Sequence, residues 1–201
     1  VIAGWLAWGE DVVSHLRGMF AFALWDARTR TLFAARDHLG VKPLHYAWDG
    51  STLVFGSEQK AVLAHPSVHA RIDLCALRLY LECQFIPAPH CVFRDVRKLM
   101  PGHALVLRDG ALALRAYWRP NYADKLAMSE TEAVDALDRE LRQSVEGMLV
   151  ADVPLGAFVS GGVDSSLVAA LMTDITGAPI DTFNIGFEGG VAVSEHREAA
   201  R

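Results

Sequence analysis

The sequence predicts a mixed fold in two parts: an α+β part built on an antiparallel sheet over residues 1–120, then an α/β part that opens with a βαβ unit over 121–201. Three observations carry this. Paired apolar runs flank short polar turns before residue 117. Periodicity disappears over 119–128. Beyond it, an apolar run, a glycine loop and an apolar helix follow one another between 155 and 176.

Val1-Ile2-Ala3-Gly4-Trp5-Leu6 reads as part of an apolar helix that the chain enters without a start methionine, as expected of an internal piece of a longer protein. Met19 to Asp26 and Thr31 to Ala35 are apolar runs around a polar turn, which predicts a hairpin. Pro43 to Trp48 and Ser51 to Phe55 flank Asp49-Gly50, and His103 to Leu107 and Ala111 to Leu114 flank Asp109-Gly110. Both dipeptides suit the positive φ angles of a tight hairpin turn. Short helices are expected near Glu58 to Leu63 and Asp73 to Leu81.

After 128, Ser129 and Glu132 have capping-box spacing, and Val134, Leu137, Leu141, Val145 and Met148 recur at three and four residues. That predicts an amphipathic helix. A strand at 155–159, the glycine loop, a helix to about Thr176 and a second strand from Ile180 to Phe187 complete a βαβ unit, which implies a parallel sheet. A further helix is expected from about Ser194.

Composition narrows the function classes. The chain has 52% hydrophobic and 21% charged residues and a net charge of −5, with Lys and Arg scattered, so it has the means to bury a core and no basic face for nucleic acid. No apolar run reaches membrane-spanning length and no signal-peptide pattern is visible. Cys75, Cys83 and Cys91 are odd in number and lack metal-ligand spacing, which points to a reducing, cytoplasmic setting.

The most informative segment is Ser160-Gly161-Gly162-Val163-Asp164-Ser165, followed by Ser166, between a strand and a helix. Adjacent glycines let backbone amides approach a ligand, and the helix start is favourable to negative charge. The loop is neither a Walker A sequence nor Gly-x-Gly-x-x-Gly. Ser160, Ser165 and Ser166 can donate to phosphate oxygens, whereas Asp164 would repel phosphate unless a divalent cation such as Mg²⁺ lies between them. A glycine turn with Ser and Asp merely capping the helix is the plain alternative.

This loop resembles the pyrophosphate loop (PP-loop) of the ATP pyrophosphatase superfamily. With Ala151-Asp152-Val153-Pro154-Leu155-Gly156 before it and Thr182-Phe183-Asn184-Ile185-Gly186-Phe187 after it, the segment resembles the glutamine-hydrolysing asparagine synthetases. Leu16 to Ala23, Arg36 to Leu44, Gly56 to Ala61, Ile86 to Pro89, Lys98 to His103 and Tyr117-Trp118 resemble, in order, the later part of a class II glutamine amidotransferase domain. The resemblance implies the C-terminal part of an Ntn-type glutaminase layer over 1–120, then the first βαβ unit of a PP-loop synthetase domain over 121–201.

The resemblance further implies that Val159, Ser160, Gly161, Gly162, Val163, Asp164, Ser165, Ser166, Ile185 and Gly186 hold ATP, the strand ends at Val159 and Ile185 through backbone groups, and that Asp164 holds Mg²⁺ on the departing pyrophosphate. It implies attack of aspartate's carboxylate on the α-phosphate and resolution of the aspartyl-AMP by ammonia from glutamine. The expected partners are small molecules (aspartate, glutamine and ATP), with no nucleic acid and no membrane, and a homodimer is compatible with the family. The family's N-terminal cysteine nucleophile, glutamine-holding arginine, Asn-Gly pair and aspartate fall upstream of the match, so no catalytic residue is assigned and this piece alone is expected to be inactive and prone to aggregate. A lactam-forming or amide-ligating relative, or an inactive truncated product, are the alternative readings.

Other candidates have plainer explanations. Pro66 between His65 and His69 spoils a helical metal pair. His90-Cys91 is unsupported, and Arg36-Asp37-His38 has no nucleophile beside it. Trp5, Trp8, Trp25, Trp48 and Trp118 read as core or interface aromatics, and Glu58 and Lys60 as solvated or domain-contact residues.

Overall fold

A computed structural model describes residues 1–185, so the expected strand end at Gly186 and Phe187 and the helix from Ser194 lie outside the described residues. The chain divides into two compact units, Val1–Ala123 and Asp124–Arg201.

The first unit runs α1 (Ile2–Trp8), a 3₁₀ helix (Gly9–His15), β1 (Ala21–Asp26), β2 (Thr31–Arg36), β3 (His45–Trp48), β4 (Leu53–Gly56), α2 (Gln59–Leu63), α3 (Leu74–Cys83), β5 (Arg97–Lys98), β6 (His103–Arg108) and β7 (Ala111–Ala116). Its strands form one sheet in the order β1-β2-β6-β7 and another in the order β4-β3-β5, with antiparallel neighbours throughout. The three hairpins and the two helices at 59–63 and 74–83 follow the sequence pattern. The 3₁₀ helix and the two-residue β5 do not: three residues per turn match neither the strand nor the α-helical period, and two residues carry no period at all.

Side-chain alternation builds layers. Phe33 and Ala35 on β2, beside Val106 and Ala104 on β6, pack with Trp5, Val12 and Val13 on one face of the first sheet. Ala34 and its partner Leu105 point the other way, to Leu44, Tyr46 and Leu99. Ala47, next to Tyr46 on β3, faces Val62, Val68, Cys91 and Val96. The result is a helical layer, two sheets and a second helical layer. Phe33, Leu99 and Leu105, at 2% exposure or less, each contribute roughly 1.5–3 kcal/mol of burial.

Turn chemistry sets the registers. Asp109 and Gly110 both have positive φ, 49° and 75°, and join directly paired Arg108 and Ala111. At Asp49-Gly50 the tight-turn expectation is corrected: Trp48 pairs with Leu53, leaving four loop residues, and of the two only Gly50 has positive φ. The cause is the Asp49 carboxylate, whose Oδ1 accepts the backbone N–H groups of Ser51 and Thr52 at 2.8 Å each and so closes a wider turn. At the first hairpin, Trp5 Nε1 donates to Asp26 Oδ2 at 2.9 Å, fastening α1 to the end of β1.

Arg36 and Asp37 tie the two sheets together. The Arg36 guanidinium donates to the carbonyls of Lys42 at 2.8 Å, Leu99 at 2.7 Å and Gly40 at 2.6 Å. Buried Asp37 accepts the N–H groups of Val41 and Lys42 at 2.9 Å each. Burial would raise its pKa, but the Lys42 and Val41 amides outweigh that and hold it below the usual range. Gly102 donates to the Asp37 carbonyl and accepts from Tyr117 and Trp118, while the Tyr117 hydroxyl donates to the Arg36 carbonyl at 2.6 Å. Gly102 has φ +64°, and a Cβ there would lie 2.5 Å from the Trp118 carbonyl oxygen. Glycine is required twice over.

The second unit runs α4 (Glu130–Met148), β8 (Gly156–Phe158), α5 (Val163–Thr176) and β9 (Asp181–Phe183). The capping box forms: Glu132 N–H donates to Ser129 Oγ at 3.3 Å, and Ser129 N–H to Glu132 Oε2 at 2.8 Å. The apolar stripe of α4 stays largely open, with Val134 and Leu137 each 59% exposed. Arg142 links α4 to Asp174 of α5 at 3.3 Å. β8 and β9 pair in parallel, Gly156 with Asp181 and Phe158 with Phe183. Among the described residues, no helix is long and apolar enough to cross a membrane.

Two outcomes follow from these contacts. Gly102→Ala should lower stability well beyond Gly110→Ala, which meets open space: about 3 kcal/mol or more against about 1, read from urea unfolding. Asp37→Asn should cost roughly 1–3 kcal/mol at neutral pH. Because the folded carboxyl titrates below its unfolded value near 3.9, that contribution is fully present above this pH and is lost as pH falls through the folded pKa. Stability curves of the two proteins should therefore converge in acid, and a gap that persists unchanged would contradict the role of the charge.

Candidate functional site

The glycine loop connects β8 to α5. Val159 continues the ladder by donating its N–H to the Phe183 carbonyl at 2.9 Å, and its own carbonyl accepts from Asn184 Nδ2. Both backbone groups at this strand end are thus engaged, leaving the second lone pair of the Val159 carbonyl for a ligand. Asn184 had no assigned role in the sequence reading. A polar amide directly after a parallel strand is the signal that marks it.

Gly161 turns the chain at φ +88°, a conformation that L side chains rarely adopt. Gly162 is the N-cap of α5 and supplies no capping side chain, whereas α3 has Asp73 and α4 has Ser129 in that position. Ser166 N–H makes an α-helical bond back to the Gly162 carbonyl at 3.2 Å, so the first-turn N–H groups of Val163, Asp164 and Ser165 point out of the helix end without helical acceptors.

The serines are arranged differently from a ready-made row of donors. Ser160 N–H donates to Ser165 Oγ at 3.2 Å, the two hydroxyl oxygens lie 3.2 Å apart, and Gly162 N–H donates to Ser160 Oγ at 3.3 Å. Ser165 Oγ donates to the Gly162 carbonyl at 3.2 Å. The loop closes on itself. Ser166, Val163 and Asp164 are exposed, Ile185 is 70% exposed beyond β9, and Gly186 lies outside the described residues. The structure therefore brings Val159 to Ser166 together on one loop and helix end, with Ile185 on the adjoining strand exit.

The chemistry of this arrangement favours an oxyanion that arrives with its own counter-charge. No Lys, Arg or His occurs between Leu155 and Thr176, so positive potential comes from the amides and helix end alone. Among the described residues no group of three metal-ligating side chains exists, leaving Asp164 as a single exposed carboxylate. One carboxylate plus phosphate oxygens and water is an ordinary Mg²⁺ environment, so the residues present fit a metal–phosphate ligand.

The remaining candidates resolve into structural roles. Arg36 and Asp37 are spent on backbone groups, and the His38 ring meets Tyr117 and Trp118 edge-on at 5.5 and 5.2 Å. Burial pushes the Cys91 thiol up to about 11, so it is not a thiolate at neutral pH, and Cys75 and Cys83 are exposed free thiols. His65 Nδ1 lies 2.9 Å from Ser67 Oγ in an exposed loop, and Glu58 and Lys60 pair at 2.7 Å in solvent.

Comparison with known proteins places this geometry in context. A family model described as a glutamine amidotransferase domain matches residues 1–118, and one described as asparagine synthase matches 136–201. Asparagine synthetase [glutamine-hydrolyzing] 3 of Bacillus subtilis is 38% identical over 94% of this chain and 31% of its own length. A putative asparagine synthetase [glutamine-hydrolyzing] 2 of Methanocaldococcus jannaschii is 36% identical over 90% of the chain and 36% of its own length. Amidase chyE of Penicillium rubens is 37% identical over 87% of the chain and 26% of its own length. A solved glutamine phosphoribosylpyrophosphate amidotransferase from B. subtilis, complexed with ADP and GMP, is 17% identical with a TM-score of 0.35, covering 96% of this chain and 39% of that one. The chain spans about a third of the length of the two synthetases. With the amidotransferase match followed by the asparagine synthase match along one sequence, the chain belongs to the glutamine-hydrolysing asparagine synthetase family.

Proposed function

We propose that this chain is part of an ATP-dependent carbon–nitrogen ligase that makes asparagine from aspartate, with glutamine as amide donor and AMP, pyrophosphate and glutamate as the other products. Residues 1–120 are the later part of an Ntn-type glutaminase domain, and 121–201 open a PP-loop synthetase domain of the ATP pyrophosphatase type. The enzyme works on small molecules in the cytoplasm. The observation that carries this reading is the order of the two family matches, joined to a helix start whose N-cap is a bare glycine in a loop free of cationic side chains.

In this reading the outward N–H groups of Val163, Asp164 and Ser165 hold phosphate oxygens of ATP, Gly161 and Gly162 let the ligand approach them, and the hydroxyls of Ser160, Ser165 and Ser166 rotate to donate to it. Val159, Ile185 and Gly186 border the adenosine. Asp164 holds Mg²⁺, whose charge offsets that of the pyrophosphate as it leaves. The chain's own contribution is positioning and charge neutralisation around a departing group. These residues bind and orient ATP, while the groups that choose the acceptor and release ammonia from glutamine fall in parts of the relatives that the chain does not span.

A second reading keeps the ATP chemistry and changes the acceptor, since one 37% identical relative bears the name amidase. Pyrophosphate release by the enzyme that contains this chain separates the two: stimulation by aspartate supports the first, and stimulation by another carboxylate alone supports the second. For the loop itself, calorimetry of the chain with ATP should show Asp164→Asn weakening binding in Mg²⁺ by about tenfold, while leaving Mg²⁺-free ATP unaffected or tighter. Gly161→Val should abolish both, because its positive φ disfavours a β-branched side chain. Unchanged Mg²⁺-dependent binding in Asp164→Asn would remove that residue's role.

A further inference from the structure

The first unit contains a cavity of about 460 Å³ to which the proposed reaction assigns no role. It opens beside β3 where β5 ends. The two strands pair through His45–Lys98 and Tyr46–Arg97 alone, so the stretch from Ala47 to Asp49 faces open space on that side. The opposite wall is built firmly: Arg94 N–H donates to the Arg71 carbonyl at 2.9 Å, Ile72 bridges Phe93, and the Arg71 guanidinium grips Asp95 at 2.8 and 2.9 Å.

The lining is charged unevenly. Arg71 and Asp95 neutralise each other, leaving Arg94 and Arg97 against the single carboxylate of Asp49, whose Oδ1 is committed to its turn. Arg94 spends Nε on the Ile72 carbonyl at 3.2 Å, and its two terminal nitrogens keep their donors. Tyr46 is the sharper observation. The residue is only 5% exposed and lines the cavity, yet its hydroxyl has no hydrogen-bond partner among the described residues. Burial raises the Tyr46 phenol, against the opposing charge of Arg97, so it remains a donor at neutral pH. Trp48 places an indole on the same wall, and its N–H likewise has no acceptor among the described residues.

The Tyr46 hydroxyl is not sealed from solvent, so it meets the open space of the cavity and is free to donate to an acceptor that enters. We propose that this cavity binds a small organic oxyanion, its charged end meeting Arg94, Arg97 and the Tyr46 hydroxyl and its body lying against Trp48. The volume is that of a small-metabolite pocket. The site is in the amidotransferase unit, separate in sequence from the nucleotide loop, and nothing about the ligase reading requires it.

The test uses the ¹⁵N-labelled chain and the indole N–H resonance of Trp48, assigned by its loss in Trp48→Phe. Malonate probes the carboxylate class, inorganic phosphate the phosphate class, and malonamide supplies an uncharged control. At least one anion should shift the resonance saturably, with half-saturation in the millimolar range, and malonamide should not. Which anion does so assigns the class. Tyr46→Phe, which keeps the ring, should raise half-saturation about fivefold, and Arg97→Gln about tenfold. Arg97 is exposed, so its replacement carries the test even if Tyr46→Phe disturbs folding. Shifts that stay linear with both anions, an equal response to malonamide, or half-saturation unchanged by Arg97→Gln would overturn the proposal.

Discussion

The first unit depends on how two consecutive charges are accommodated at the end of β2. Arg36 and Asp37 do not chiefly satisfy each other: the guanidinium is surrounded by three carbonyls and the carboxylate by backbone amides. A buried charge without such partners would cost several kcal/mol, enough to offset much of a domain's net stability. The partners belong to the 40–42 loop and to Leu99, just ahead of β6, while Tyr117, after β7, closes the same cluster from the far edge. One polar cluster therefore fixes where β2, β6 and β7 end. This is also why a triplet with a catalytic look, Arg36-Asp37-His38, is architectural.

The second unit is organised on a different principle. Its strands are short, and α4 has no buried residue, so local devices define its elements: a capping box starts α4 and glycines shape the approach to α5. The contrast between helix starts is informative. Where α3 and α4 close their first turns with side chains, α5 begins on bare glycine and leaves its amides facing outward. α1 and α2 also start without a side-chain cap, so what sets α5 apart is the glycine at its N-cap, directly after the glycine loop.

Much of this was legible in the residues. Period two alternation and turn dipeptides located the hairpins, and Ser129 with Glu132 located the start of α4. What escaped was governed by side-chain to backbone bonding that no period encodes. Asp49 widened its turn by capping Ser51 and Thr52, and the two-residue β5 exists only because Tyr46 and His45 have neighbours in the fold. The glycine loop itself was evident as a strand–loop–helix transition. Its serines were not readable as a closed pair, because whether a hydroxyl points outward or at its neighbour depends on loop geometry rather than residue type. Asn184 escaped for the same reason.

That closed pair has a consequence for discrimination. An uncharged polar molecule that opens the Ser160–Ser165 contact exchanges one neutral hydrogen bond for another and gains little. A full negative charge gains roughly twice as much per bond and also draws on the exposed amides of α5. In the proposed nucleotide role, the mutual bonding of these hydroxyls would act as a threshold, holding off water-like and sugar-like groups and yielding to oxyanions. The filter lies in what must first be given up, and not in the shape of the opening.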